Sequence, residues 1–570
     1  MRALPVKPEP AERPSQRGGR PPLSVHESRK IAPAHPRDAV LRRRRLAVAA
    51  ALAVGLLLRL MQYAVERSLW LDEALLSSSV LYRDFAGLLR PLDFGQTAPL
   101  GFLFLEKLVV TLLGTGEYAL RLLPLLAGVA GVLLVPAVAR RYVSRPAAPL
   151  AVAVFALAPF LVYYSSEVKQ YAFDALVSLV VLLAAWELAR APRPARAALF
   201  LALAGVAGVW LSQPAVFMLA GTTLALAQHA WKAGDRRRLY AAAAASLAWG
   251  ASFLFSYAMS RRTLADPEYM QSFWKGGFFT TEEITWLPRQ FARAFREPLG
   301  IMGADDSLLL SYAGAGAALL AFLAGCAWAA RRRSLRFNLL VFPLALTLLA
   351  SFVRLYPFGG SYLSSGRVLI FLIPTFGFLM AEGAVAARRR LGGTAGRAAF
   401  AGLAVLILLP SVSYAALSVP HVRAEVKPLL DYAAEQRQPG DFMYVYYNGR
   451  AVFRYYAPRY GWTEANSVVG TCARTEPVRY LGDLAQLRGR PRVWVLFVDG
   501  TGVGGYNERT LMLRFLDHIG RRLDDRVAIG TSLYLYDLRE ENVKPGRFPE
   551  LIPTFVAEPA VQCRGPWGTK

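Results

Sequence analysis

The chain has 570 residues, is 55% hydrophobic and has a mean hydropathy of +0.31, too apolar for a water-soluble protein of this length. Its formal charge of +26 does not read as a nucleic-acid groove, because the basic residues stand in short clusters between apolar runs, as in the cytoplasmic loops of polytopic membrane proteins. Three cysteines exclude a disulfide scaffold and a thiolate metal cage.

Residues 1–45 read as a basic cytoplasmic tail. Pro, Arg, Ser and Gly dominate residues 1–41, so this stretch cannot bury enough surface to order itself, and it lacks the pattern of a secretory signal. Arg42–Arg45 abut the first apolar run, 46–64, and hold that end inside. The first helix then runs outward, and Trp70-Leu71-Asp72-Glu73 emerges on the extracytoplasmic side. The 14 residues between Pro99 and Gly114 carry Glu106 and Lys107 in their middle. That is short of the ~20 needed to cross a ~30 Å hydrocarbon core, so the segment reads as a helix lying at the interface.

Further spans fall near 119–139, 148–164, 172–189, 197–212, 214–231, 239–258, 307–330, 337–353, 368–386 and 398–418, which with the first makes about eleven transmembrane helices over 46–419. Charge supports this topology. Loops assigned to the inside carry clusters such as Arg140–Arg141, Arg236–Arg238, Arg331–Arg333 and Arg388–Arg390, whereas the short outside turns carry only Lys169, Arg354 and Arg367. The long outside loop 259–306 is aromatic, which suits the lipid headgroups. From residue 420 to 570 the pattern becomes that of a soluble α/β domain: a helix at 426–436, strands at 441–447 and 492–499, a helix at 507–523 and a hairpin at 524–538. The Gly-rich stretch 500–505 contains no P-loop lysine and reads as a turn. Cys472 and Cys563 both fall in this outside domain, where they could pair; Cys326 lies in a span.

Three stretches carry candidate chemistry. Asp72 and Glu73 are either solvated helix-end charges or an acidic pair poised at the membrane surface. "YYSSEVKQYAFD", 163–174, brings Glu167, Lys169, Tyr171 and Asp174 to one outside turn, and Asp174 sits inside the following helix, where a charge is costly unless it faces a polar cavity. "RLYPFGGSYLSSGR", 354–367, is bracketed by Arg354 and Arg367, which serve either as headgroup anchors or as a phosphate grip. His421 and His518 are too isolated to be ligands.

"LWLDEALL", followed by "TAPLGFLFLEKLVVTLLGTGEYALRLLPLLAGVAGVLLVPAVARR" and "FALAPFLVYYSSEVKQYAFD", resembles the GT-C superfamily of membrane glycosyltransferases. Within it the likeness is to bacterial relatives of protein O-mannosyltransferases, the lipid A aminoarabinose transferase and the rhizobial lipopolysaccharide-core transferases. The resemblance implies a multi-pass protein of the bacterial inner membrane, N-terminus cytoplasmic and C-terminal domain periplasmic. Its activity would be hexosyl or pentosyl transfer, with inversion, from a polyprenyl-phosphate sugar donor to a glycolipid, polysaccharide or protein acceptor. It also implies Asp72 as general base, with Glu73 supporting it or a metal. The basic residue that many relatives place before the interfacial helix is replaced here by Gln96, Thr97 and Ala98.

Independently of the family, a carboxylate that takes the acceptor proton is worth ~10² to 10⁴-fold. The leaving phosphate needs only charge compensation, from Lys169, Arg354, Arg367 or a divalent ion held by Glu73 or Glu167. A surface-polysaccharide ligase or polymerase is the alternative, and a transporter a weaker one, since the candidate charges cluster at one face.

Overall fold

A computed structural model describes residues 36–263, 267–296, 308–332, 334–359, 365–473, 478–498, 502–503, 506–546 and 548. The chain divides into two units, 1–43 and 44–570; the second holds everything discussed below. Its helical part comprises α1 (Pro36–Ala64, entering from the first unit), α2 (Leu71–Tyr82), α3 (Leu100–Leu113), α4 (Glu117–Tyr142), α5 (Ala148–Leu157), α6 (Pro159–Tyr163), α7 (Tyr171–Arg190), α8 (Pro194–Leu211), α9 (Ala215–Lys232) and α10 (Arg236–Thr263). It continues through α11 (Pro267–Phe273), α12 (Trp286–Arg296), α13 (Leu308–Arg331), α14 (Leu335–Phe352), a 3₁₀ turn at Ser365–Leu372, α15 (Ile373–Leu391) and α16 (Gly393–Leu417).

Among the described residues nine helices are long and apolar enough to cross a membrane. The bent pair α5–α6 is a tenth, broken by 53° where Pro159 cannot continue the helix. The eleventh span expected from the sequence, 214–231, is α9. Gln228, His229 and Lys232 in its last turns lower its apolarity, yet it joins the two ends of the bundle. Gln213 just before it donates to Thr97 Oγ1 at 3.2 Å, while Gln228 Oε1 near its far end accepts from Asn338 at 2.6 Å. The segment after Pro99 is the 14-residue helix α3, shorter than a span, and its Gly114 cap has φ +90°, which glycine adopts without strain. Close packing sets the bundle's interior. A Cβ on Gly325 of α13 would strike the carbonyl oxygen of Leu379, and one on Gly383 of α15 would strike that of Ala321, so both positions must stay small.

The loops assigned to one side by charge meet at one end. Arg141 pairs with Glu187 at 2.8 Å, Arg238 Nη2 donates to Ala191 O at 3.0 Å and Arg336 lies over the Trp186 ring. The opposite end gathers the N-termini of α2, α4 and α7. The loop 259–306 differs from a headgroup-resting segment in its described part. Phe278, Trp286 and Phe295 are buried against the protein, with the Phe295 ring tilted against those of Phe322 and Phe376.

The C-terminal region holds α17 (Lys427–Glu435), β1 (Phe442–Val445), α18 (Arg450–Tyr456), β2 (Ser467–Val469), α19 (Val478–Ala485), β3 (Val493–Val498), the two-residue strands β4 (Gly502–Val503) and β5 (Tyr506–Asn507), α20 (Glu508–Ile519), β6 (Arg521–Ala528) and β7 (Thr531–Asp537). The main sheet runs β2-β1-β3-β7-β6, with β1 parallel to β2 and β3, and β3–β7–β6 antiparallel. β1 and β3 are continuous apolar runs because both their faces are covered. One face packs on α19 and α20. The other packs on α17, α18 and the segment around α2 and α3. Cys472 is buried and disulfide-bonded, Cys326 is free, and Cys563 lies outside the described residues.

Candidate active site

The acidic pair opens α2, and its two carboxylates point into different charge networks. Asp72 is held from two sides: Lys169 Nζ donates to Oδ1 at 3.1 Å and Arg367 Nη1 to Oδ2 at 2.8 Å. Burial alone would raise its pKa, but these two cations override that and hold it at about 2. Lys169 also donates to Gln96 Oε1 at 2.7 Å, at the entrance to α3. Arg367 lies over the rings of Tyr171 and Trp274, and its Nε is buried without a partner in the protein.

Glu73 is fully buried. Arg121 grips both its oxygens, Arg67 stands 3.7 Å from Oε1, and Val168 N donates to Oε1 at 3.2 Å. Burial works against the charge, and the two guanidinium groups reverse it, leaving the pKa lowered. Arg121 also donates to the carbonyls of Arg67 and Ser68, so the network fixes the chain entering α2.

Glu167 follows the 3₁₀ turn Tyr164–Ser166. It is wholly buried, and neither of its oxygens has a hydrogen-bond partner in the protein. Burial, opposed by Arg423 and reinforced by Glu73 and Asp72, pushes its pKa up to about 7. Tyr171 stacks edgewise on Tyr164 at 4.7 Å. Asp174, one turn further into α7, is 4% exposed, makes no ion pair among the described residues, and leaves Oδ1 without a partner there. The structure therefore brings together Asp72, Glu73, Glu167, Lys169, Tyr171 and Arg367. It does not bring Arg354, which is exposed at the end of α14 with φ +56° and forms no ion pair among the described residues.

With this geometry in view, the comparisons fall into place. Residues 97–256 match the model of the dolichyl-phosphate-mannose-protein mannosyltransferase family. The crystal structure of ArnT from Cupriavidus metallidurans in the apo state superposes with a TM-score of 0.50 at 13% identity, covering 89% of this chain and all of that one. The chain shares the fold of that protein. The archaeal oligosaccharyltransferase AglB from Archaeoglobus fulgidus, in complex with an inhibitory peptide and a dolichol-phosphate, also aligns, with a TM-score of 0.46 and 13% identity over 85% of this chain and 74% of that one. No curated protein matches.

Glu73 does not fit a divalent ion, because both its oxygens are already engaged by a guanidinium group or a backbone N–H and a metal would have to displace Arg121. No group of three metal-ligating side chains exists among the described residues, and Glu167 faces Arg423 instead.

Sequence reasoning passed over Arg67, Arg121 and Arg423. Arg121 was discoverable: an arginine in the first turns of a span requires a buried partner, and the acidic pair supplies one. Arg423 gave no such signal, because it lies in the polar linker after α16. Its guanidinium sits 4.4 Å over the Trp70 ring and 4.7 Å over Tyr163. His421 beside it is a packing residue, edge-on to Tyr163, with its pKa lowered to about 4 by burial and by Arg423.

Proposed function

We propose that this protein is an inverting glycosyltransferase that moves a hexosyl or pentosyl group from a polyprenyl-phosphate carrier to an acceptor hydroxyl at the extracytoplasmic face of the bacterial inner membrane. The observation that carries this reading is the position of Lys169 and Arg367. Lys169 is buried and Arg367 largely so, both converge on Asp72, and Lys169 also meets Gln96 at the mouth of α3. Along α3, an apolar groove of about 750 Å³ runs between that helix and α8, lined by Gly101, Phe104 and Leu108 on one side and Leu203, Ala207 and Trp210 on the other. A cationic locus before α3 and an apolar groove along it suit a phosphate with a prenyl tail. The family matched by residues 97–256 is named for such a carrier.

In this reading the leaving phosphate takes its charge compensation from Lys169 and Arg367, whose free Nε–H offers it one further hydrogen bond. No acid is needed at the leaving oxygen. A single displacement by the acceptor oxygen inverts the anomeric centre and needs one base on the opposite side. The acceptor class, whether glycolipid, polysaccharide or protein, is left to experiment.

The test compares surface glycans, by mass spectrometry, of wild type, a deletion strain and an Asp72→Asn strain with matched expression. The expected result is one glycan species lost on deletion and lost or much reduced in Asp72→Asn. Identical profiles in all three would refute the proposal. Sidedness has its own check: a cysteine placed at exposed position 354 should react with an impermeant reagent on intact cells, and one at 237 only after permeabilisation.

A further inference from the structure

The β6–β7 hairpin ends in an apolar tip. Val527 pairs with Ser532 and Ala528 with Thr531, so Ile529 and Gly530 alone make the turn, with Gly530 at φ +64°. Two-residue turns are usually built from Asn, Asp and Gly, whose polar groups face water. Here the apolar side chains point away from the protein. Val527 is 69% and Ile529 58% exposed, whereas Ala528 packs on the core and Thr531, Ser532 and Leu533 are buried.

Hydrogen bonds fix the height of this tip above the membrane spans. α1 ends at Ala64 and α16 at Leu417, at the end of the bundle that carries the acidic pair. Tyr63 OH donates to Tyr118 O at 2.8 Å and Tyr118 OH to Ala64 O at 2.9 Å, a pairing that suits tyrosines at the boundary between lipid and water. The linker leaving α16 returns to that level, because His421 N donates to Gln62 Oε1 and Gln62 Nε2 to His421 O, each at 2.7 Å. Four residues later Glu425 N donates to Ile529 O at 2.8 Å, and Thr531 Oγ1 donates to Glu425 O at 2.6 Å. Four residues reach at most ~14 Å, so the turn stays close to the interfacial tyrosines.

We propose that the β6–β7 tip docks on the membrane, with Val527 and Ile529 entering the headgroup layer of the leaflet beside α1 and α16. The apolar surface of the spans leads up to this point: Val412 and Leu417 on α16 and Val65 after α1 are all exposed, Leu417 at 85%. Asp525 and Arg526 beside the tip are exposed and of opposite sign, so the contact is apolar and should survive raised salt. The inference rests on the spans and the hairpin, not on the transferase reading. It does bear on the site. Glu425, which holds the turn, also accepts from Ser68 N at 3.1 Å and Ser68 Oγ at 2.8 Å, four residues ahead of Asp72. Lipid contact at the tip therefore braces the chain that leads into the acidic pair.

The experiment uses the full-length protein, kept oxidised, with Cys326→Ala and one added cysteine: Val527→Cys, Ile529→Cys or, at the far end of β6 and ~25 Å from the turn, Arg521→Cys. Each is labelled with a nitrobenzoxadiazole dye and reconstituted in vesicles of phosphatidylethanolamine and phosphatidylglycerol, with the parent lacking an added cysteine as background. Labels at 527 and 529 should emit further to the blue than the label at 521. They should also be quenched by lipid carrying a nitroxide near the headgroup end of its acyl chain, and resist aqueous iodide, at low and at high salt. Labels at both positions that iodide quenches as readily as at 521, with no quenching by the nitroxide lipid, would overturn the inference. So would a blue shift that disappears when the protein is diluted to one copy per vesicle, since the tip would then be covered by a second copy of the chain. Either result leaves the transferase reading untouched, because no glycan is measured.

Discussion

Arg121 closes on Glu73 at two points, Nε to Oε1 at 2.8 Å and Nη2 to Oε2 at 2.7 Å, with neither side chain more than 2% exposed. An ion pair this deep contributes little net stability by its formation, because both charges lost their hydration. Breaking it is another matter. Arg121→Leu strands Glu73 with only the more distant Arg67, so a loss of ~3–5 kcal/mol is expected, seen as a lower unfolding temperature in detergent and reduced membrane yield. Arg121→Lys should recover only part, since an ammonium cannot reproduce the two-point geometry.

The phosphate grip makes a separate expectation. Arg367→Gln and Lys169→Met should each weaken undecaprenyl phosphate binding by ~10 to 100-fold, the size of one charge-assisted hydrogen bond of ~1.5–3 kcal/mol. Arg354→Gln should leave it unchanged, because that side chain is exposed and away from Asp72. Tryptophan fluorescence or calorimetry on the purified protein measures all three.

Glu106 offers a pH test of stability. It is fully buried in α3 with both oxygens unpartnered, and burial raises its pKa well above the usual carboxylate value. The folded state therefore holds the proton more tightly than the unfolded chain. Stability is unaffected below the unfolded pKa, falls as pH rises from there towards the folded pKa, and levels off above it. Glu106→Gln has no proton to lose, so the difference in unfolding temperature between pH 5 and pH 8 should shrink, with the variant gaining on wild type at the higher pH.

Much of the membrane part was legible because hydropathy and charge act over whole segments. A run of apolar residues with arginines at its end fixes a helix and its direction however the neighbours pack, and α4, α7 and α15 follow that rule. The acidic pair, Lys169 and Arg367 were legible because each is a charge where lipid or topology disfavours one. Two things were not. Arg423 works through position alone, stacked between two rings that are hundreds of residues away in the chain. Arg354 looked like Arg367 in one dimension and separated from it in three.

The C-terminal region is fastened to the same entrance. Leu69 N donates to Tyr456 OH at 2.9 Å, and that hydroxyl in turn donates to Glu117 Oε1 at 2.9 Å. Tyr456→Phe leaves a buried N–H and a buried carboxylate oxygen each short of a partner, at a cost of ~1–3 kcal/mol per group. Earlier cleavage after α16 in limited proteolysis, with a lower unfolding temperature, is the expected readout.

Ser68 donates to Glu425 and accepts from the N–H groups of Val426 and Lys427, so the strap leaving α16 is sewn to the residues just ahead of the acidic pair. The sheet beyond it is thus no removable cassette. A chimera that exchanges it for a relative's must carry residues 66–70 and 421–427 across as one piece, or the start of α2 will lose the strap that holds it.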